Sequence, residues 1–185
     1  MTRRHRKNLP PVWLMTDERI PVDALLNTMA GLRKGRAGVI FRHYRTPSAQ
    51  RRSLFDQVVA IARRRRLLVF VAGTEGLAAA WKADGWHGPV QSGGRRLLLH
   101  SMAAHDRVEV ERAQRLRADL LFLSPLFATR SHPGARTLGP VRFAALARTA
   151  SMPVIALGGV KADHRRMVKA LGASGWAAID GLVGG

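Results

Sequence analysis

The chain has 185 residues, 46% of them hydrophobic, enough for one domain with a single core. Its 31 lysines and arginines against 12 acidic residues give a formal charge of +19, a field that attracts phosphorylated ligands, nucleic acid or anionic membranes. No run approaches the ~20 apolar residues of a membrane-spanning helix, and the absence of cysteine excludes disulfides and thiolate chemistry and fits a reducing cytoplasm.

Residues 1–12 read as a basic N-terminal extension whose apolar stretch is too short for a signal sequence. Residues 13–185 read as one domain without linker or low-complexity tract. Trp13–Thr16 is the first predicted strand, with a helix over Val22–Leu32 behind it. Gly38–Arg42 is followed by a helix over Ser48–Arg64, and Leu67–Ala72 by a helix over Glu75–Ala83. Thr74 is its predicted N-cap, and Gly85 is the glycine expected at its end. Gly85–His87 and Leu97–His100 are the next strands, and Asp106–Leu116 the next helix. Asp119–Ser124 precedes a long loop and a helix over Val141–Thr149. Val154–Leu157, a helix over Asp163–Leu171 and a last strand at Trp176–Ile179 complete the series.

Most of these strands are Val-, Ile-, Leu- and Phe-rich without polar alternation, as parallel strands covered on both faces must be. Eight such strands with helices between them specify an α/β fold, either a (β/α)8 TIM barrel or a doubly wound sheet. No G-x-G-x-x-G follows the first strand, which argues against a dinucleotide fold. The expectation is therefore a short TIM barrel with trimmed helices, the closing helix missing or a stub.

In a barrel the chemistry sits where strands end. Three such ends stand out. The loop Ser124–Gly139 carries Thr129, Arg130, Ser131, His132 and Arg136, hydroxyls and cations suited to phosphate. Gly158 and Gly159 end the seventh strand and Gly181 follows the eighth, the usual barrel phosphate site. Arg42, with His43 and Tyr44, closes the second strand and reads as a substrate anchor. Asp17 and Asp84, carboxylates near strand ends, read as structural hydrogen-bonding groups.

With these residues assembled, nearly the whole chain resembles the thiamine phosphate synthase and thiazole tautomerase (TenI-like) family of barrels. VWLMTDERI is similar to the family's opening strand, GVIFRHY to its arginine-bearing strand and ADGWH to its Ala-Asp-Gly-x-His. SPLFATRSHPGARTLG is similar to its diphosphate loop, and PVIALGGV and GWAAIDGL to its phosphate strands. The resemblance implies that Arg42 contacts a pyrimidine diphosphate and that Thr129 and Ser131 supply loop hydroxyls. It implies that Gly159 binds phosphate, that Asp119 is structural, and that His105 is the tautomerases' acid/base.

The chain also departs from the synthases. Tyr44 and His132 stand where they carry lysines, Ile40 where they carry glutamine, and Asp180 where a serine is common. Ala72-Gly73-Thr74 replaces an Asn-Asp pair that holds magnesium, and GPVQSGGRR lacks their second magnesium aspartate. Diphosphate departure needs a metal held by hard oxygen ligands. The expectation is thus a thiazole phosphate-binding barrel, tautomerase-like or a divergent synthase, with no cofactor and with magnesium only if synthase chemistry operates. An active synthase and a non-catalytic thiamine phosphate-binding module are the alternatives. The expected partner is a small phosphorylated heterocycle, with no membrane, no sequence-specific nucleic acid and a possible homodimer.

Overall fold

Eight strands close into a barrel in chain order. The computed structural model describes residues 9–89, 97–129, 134 and 136–182. The strands are β1 (Val12–Met15), β2 (Ala37–Phe41), β3 (Leu68–Ala72), β4 (Gly85–His87), β5 (Leu99–Ala104), β6 (Leu120–Leu123), β7 (Val154–Ala156) and β8 (Gly175–Ala178). Every neighbouring pair is parallel, and β8 returns to β1 through the pairs Val12–Trp176, Trp13–Ala177 and Leu14–Ala178. The TIM barrel expected from the strand count is the observed fold. Around it lie α1 (Val22–Gly31), α2 (Ser48–Arg65), α3 (Glu75–Ala80), α4 (Arg107–Arg115), α5 (Gly139–Thr149) and α6 (Arg165–Ala170). Among the described residues no helix separates β4 from β5, and β8 is followed only by a 3-10 turn over Asp180–Leu182.

The interior is built around Trp13, which is fully buried, with its Nε1 donating to Pro10 O at 2.7 Å. Phe70 and Phe122 meet its ring edge-on at 5.1 and 5.7 Å. A side chain opposite would have no room. A Cβ on Gly38 would fall 2.5 Å from the Trp13 ring, and one on Gly85 would lie 2.9 Å from Phe70. Gly85 therefore belongs to a strand rather than ending the helix before it. The outer faces of β1 to β4 pack on α1, α2 and α3, those of β5 to β8 on α4, α5 and α6. Two carboxylates tie strand starts to their neighbours. Asp84 accepts from Val69 N at 2.8 Å, and Asp119 from His100 N at 3.0 Å, the structural roles expected of both.

β5 runs further along the chain than predicted, to Ala104 instead of His100. His100 and Ser101 read as a polar strand end, yet both are fully buried. His100 stacks on Trp86 at 4.3 Å and donates from Nε2 to Gly88 O at 2.7 Å. Ser101 donates to Trp86 O at 3.3 Å. Neighbouring β4 satisfies both polar groups, so the strand continues through them.

Candidate functional site

At the carboxyl end of β7 the chain turns through Gly158 and Gly159, whose φ angles are +90° and +63°. Only glycine takes this backbone path without strain, and here space forbids a side chain as well. A Cβ on Gly159 would lie 2.5 Å from Ala128 O, and one on Gly158 would lie 2.6 Å from Pro125 Cα. The contact is close because the loop after β6 is bonded to this turn. Leu126 N donates to Leu157 O at 2.8 Å and Phe127 N to Gly158 O at 3.0 Å. On the other side Gly181 leaves 2.9 Å between a would-be Cβ and Val160 O. The result is a cavity of about 480 Å³ lined by Thr129, Gly158, Gly159 and Gly181, with Leu157 and Ile179 as its apolar wall. Thr129, Gly158, Gly159 and Gly181, separate in sequence, are brought together.

Lys161 also lines this cavity and forms no ion pair among the described residues. Sequence reasoning missed it, although a cation two residues beyond the glycine pair was visible.

The β1–β2 side of the rim is built from side chains instead. Arg42 donates from Nε to Thr16 O at 2.8 Å and from Nη2 to Asp17 Oδ2 at 3.1 Å. Asp17 also receives two bonds from the Arg19 guanidinium, at 2.7 and 3.0 Å. The Arg19 hydrogen bond, aided by the charge of Arg42, lowers the Asp17 carboxyl to a pKa of about 2. Thr16 is fully buried; its hydroxyl accepts from Arg42 N at 2.9 Å and lies 2.9 Å from His43 Nδ1. Burial lowers the His43 pKa and so favours the neutral imidazole. Behind this layer Arg51 Nη2 donates to Arg42 O at 3.1 Å and Ala72 O at 2.8 Å, tying the ends of β2 and β3. Tyr44, where the synthases carry a lysine, is exposed.

His87 is partly buried at the end of β4, edge-on to Phe122, with Nδ1 3.0 Å from Ser101 Oγ. Burial, with the positive charge of Arg42, pushes its pKa down to about 4. The Ser101 proton goes to Trp86 O, so His87 Nδ1–H donates to Ser101 and Nε2 is left as an acceptor. Its sequence signal was the Ala-Asp-Gly-x-His match, from which no site role was drawn.

His105 follows β5 directly, but it is not among the residues lining the β7–β8 cavity. Its side chain is 57% exposed, and both its backbone N–H and its Nδ1 meet Glu109 Oε2, at 2.6 and 2.8 Å. Asp106 then caps α4 by accepting from Glu109 N at 2.9 Å. Arg130, Ser131 and His132 lie outside the described residues.

The magnesium implied by the synthases requires oxygen ligands that these residues do not offer. Asp17 is engaged by two arginines. The end of β3 supplies Ala72, Gly73 and Thr74, and the Thr74 hydroxyl caps α3 by accepting from Leu77 N at 3.0 Å. The sequence holds no acidic residue between Asp84 and Asp106. Among the described residues no three His, Asp or Glu side chains gather as a metal site. The described part of the rim does not fit magnesium. Among the described residues no helix is long and apolar enough to cross a membrane.

A family model described as thiamine monophosphate synthase matches residues 12–182. A thiamine-phosphate synthase of Chloroflexus aurantiacus is 30% identical over 179 residues, which span 84% of this chain and 82% of that protein. One from Pyrococcus furiosus is 24% identical, across 96% of this chain and 89% of its own. Among solved structures, thiamine phosphate pyrophosphorylase from Pyrococcus furiosus matches with a TM-score of 0.80 at 22% identity, covering 98% of this chain and 90% of that one. At that identity the structural likeness speaks to the fold.

Proposed function

The chain belongs to the thiamine monophosphate synthase family, and from that premise we propose that its rim binds a thiazole phosphate and isomerises it without a metal, in the manner of a thiazole tautomerase. The observation that carries the reading is the cavity formed by Thr129, Gly158, Gly159, Lys161 and Gly181. Main chain without side chains lets amides approach a phosphate closely, and an unpaired lysine adds charge. Moving a proton between two positions of a ring needs one positioned acid/base, with no oxidant and no metal. His105 is that group: it follows β5 directly, and Glu109 on Nδ1 leaves Nε2 to exchange the proton. Arg42 and the Nε2 acceptor of His87 contact the heterocycle.

A second reading, condensation of hydroxymethylpyrimidine diphosphate with thiazole phosphate, is favoured by the name of the 30% identical Chloroflexus protein. The chemistry at the rim weighs against it. Neutralising a departing diphosphate is the largest demand of that reaction, and among the described residues the ends of β3 and β4 offer no carboxylate for the metal.

Incubation with thiazole phosphate, followed by proton NMR, tests the choice. Isomerisation is expected with EDTA present, with a loss of about 10²–10⁴-fold in His105→Gln and unchanged ligand affinity. Magnesium-dependent formation of thiamine phosphate would replace this reading with the second one. Tight binding without turnover would reduce the rim to a binding site.

A further inference from the structure

We propose that the face of the barrel where the strands begin binds the phosphate backbone of a nucleic-acid duplex without reading its sequence. In this fold the helices run back against the strands, so each helix ends at that face. Four of them, α2, α3, α4 and α6, end in one way. A residue with left-handed φ follows the last turn: Arg66 at +53°, Lys82 at +56°, Arg117 at +51° and Gly172 at +94°. The next backbone N–H turns back to a carbonyl five residues earlier, from Leu67 to Ala62 and Ala83 to Ala78 at 2.9 Å, and from Ala118 to Ala113 and Ala173 to Val168 at 3.0 Å. Glycine is the residue this turn favours, because a side chain in the left-handed region costs backbone energy. The chain uses glycine in one of the four and exposed cations in the other three. The helix dipole is served equally by a cation one residue earlier, where no strain arises. Strain kept at three matching surface positions points to a use for their charge.

More cations adjoin them. Gly35 N donates to Arg65 O at 2.9 Å and Arg65 Nη2 to Leu32 O at 2.6 Å, which ties the exposed turn of Arg33, Lys34 and Arg36 to the end of α2. These turns lead into β2, β3 and β4, adjacent strands of the barrel, so their cations form one arc. Arg66 and Lys82 form no ion pair among the described residues. The 12 acidic residues of the sequence all lie within the described residues. Only Asp84 and Asp119 stand in the turns before strands, and each accepts from a strand, Asp84 from Val69 N and Asp119 from His100 N. Asp17, Glu18, Glu75 and Asp106 stand at the opposite end, where strands finish and helices begin. Residues 1–8 and 90–96 contain no acid to offset the arc.

The surroundings of the charge select the partner. A lipid surface is held by apolar side chains as well as by cations. The exposed Val22, Tyr44, Val108 and Val141 stand at the opposite end, and Leu97 lies outside these helix-to-strand turns. Single strands are held by aromatic side chains on which bases stack, and residues 33–36, 66–67, 82–84 and 117–119 include no aromatic. Cations alone suit the dense phosphates of a duplex, which carry no sequence information. This face is opposite the rim cavity and its test needs no substrate, so it stands apart from the proposed function.

The probe is a fluorescein-labelled DNA duplex of about 20 base pairs, read by anisotropy over a series of salt concentrations. Two triple variants that remove equal charge are compared: Arg66→Gly, Lys82→Gly and Arg117→Gly in the turns, and Arg142→Gln, Arg165→Gln and Arg166→Gln near the starts of α5 and α6. Glycine relieves the left-handed positions, so the turn variant is expected to melt no lower than the unaltered protein. It is expected to bind the duplex at least tenfold more weakly at physiological salt, with the slope of log affinity against log salt reduced by about three. The other variant is expected to lose less than twofold. Equal losses in both would overturn the proposal as diffuse attraction by the net charge. Tighter binding of a single strand of the same length would overturn it, as would binding to phosphatidylserine vesicles that the turn variant loses while its duplex affinity is unchanged.

Discussion

The two sides of the barrel rim are made of different material. Beside β7 and β8 the site is main chain: two left-handed glycines, a third glycine opposite, and one lysine. Beside β1 and β2 it is a lattice of side chains in which Thr16, Asp17, Arg19, Arg42 and His43 hold one another. A main-chain surface cannot be varied without moving the backbone, so it fixes a feature that stays constant, such as a phosphate. A side-chain lattice can be rebuilt residue by residue, so it suits the variable part of a ligand. The departures from the synthases at residues 40, 44 and 72–74 fall on strands β2 and β3 or just beyond them, whereas the one at Asp180 follows β8 on the main-chain side.

That contrast makes the two sides separable by mutation. Gly159→Val attacks the main-chain side. A left-handed L residue costs ~1–2 kcal/mol, and its Cβ would lie 2.5 Å from Ala128 O. Affinity for thiazole phosphate is expected to fall about 100-fold by calorimetry; a change under threefold would show that the turn is not the anchor.

The next effect belongs to His87. Its folded pKa of about 4 lies below the ordinary 6.5, so the unfolded chain binds more protons between those values. The stabilisation is complete above about pH 6.5 and is lost as pH falls toward 4. Denaturant titrations should show a decline on the order of 2 kcal/mol across that window. His87→Gln should flatten it.

Asp17 works at lower pH. Its folded pKa of about 2 lies below 3.8, so its contribution is present above about pH 4 and is lost as pH falls toward 2. Asp17→Asn should remove ~1 kcal/mol at neutral pH and that part of the acid slope, as measured by urea unfolding. It should also loosen Arg42 and weaken heterocycle binding more than binding of inorganic phosphate. Equal weakening of both would erase the distinction between the two sides.

The smallest effect is expected outside both. His105 and Glu109 have side chains 57% and 44% exposed, and Glu109→Gln should change stability by only a few tenths of a kcal/mol. Its melting curve should overlay that of the unaltered protein while the isomerisation rate drops.

The same division governs what could be read from the sequence. Eight apolar runs announced the barrel because strands covered on both faces have no polar period. Gly158, Gly159 and Gly181 were legible because such a surface leaves its mark as missing side chains in a row. The buried polar residues were not. His100 and Ser101 read as the end of a strand because their partners, Trp86 and Gly88 on or beside β4, lie 12 to 15 residues away. His87 took its meaning from Ser101 across the same strand pair and from the field of Arg42. Lys161 was visible as a cation, but its place on the cavity depends on how the β7 turn meets Gly181. His105 was legible as a residue at a strand end, while its engagement with Glu109 required the helix start at Arg107.

The most direct test compares thiazole phosphate with its unphosphorylated alcohol by isothermal titration, on the unaltered protein and on Gly159→Val. If amides and Lys161 at the β7–β8 turn hold the phosphate, the unaltered protein should bind the phosphate ester at least tenfold more tightly than the alcohol, and Gly159→Val should bind the two alike. Equal affinity for ester and alcohol in the unaltered protein, or full discrimination retained in Gly159→Val, would contradict it.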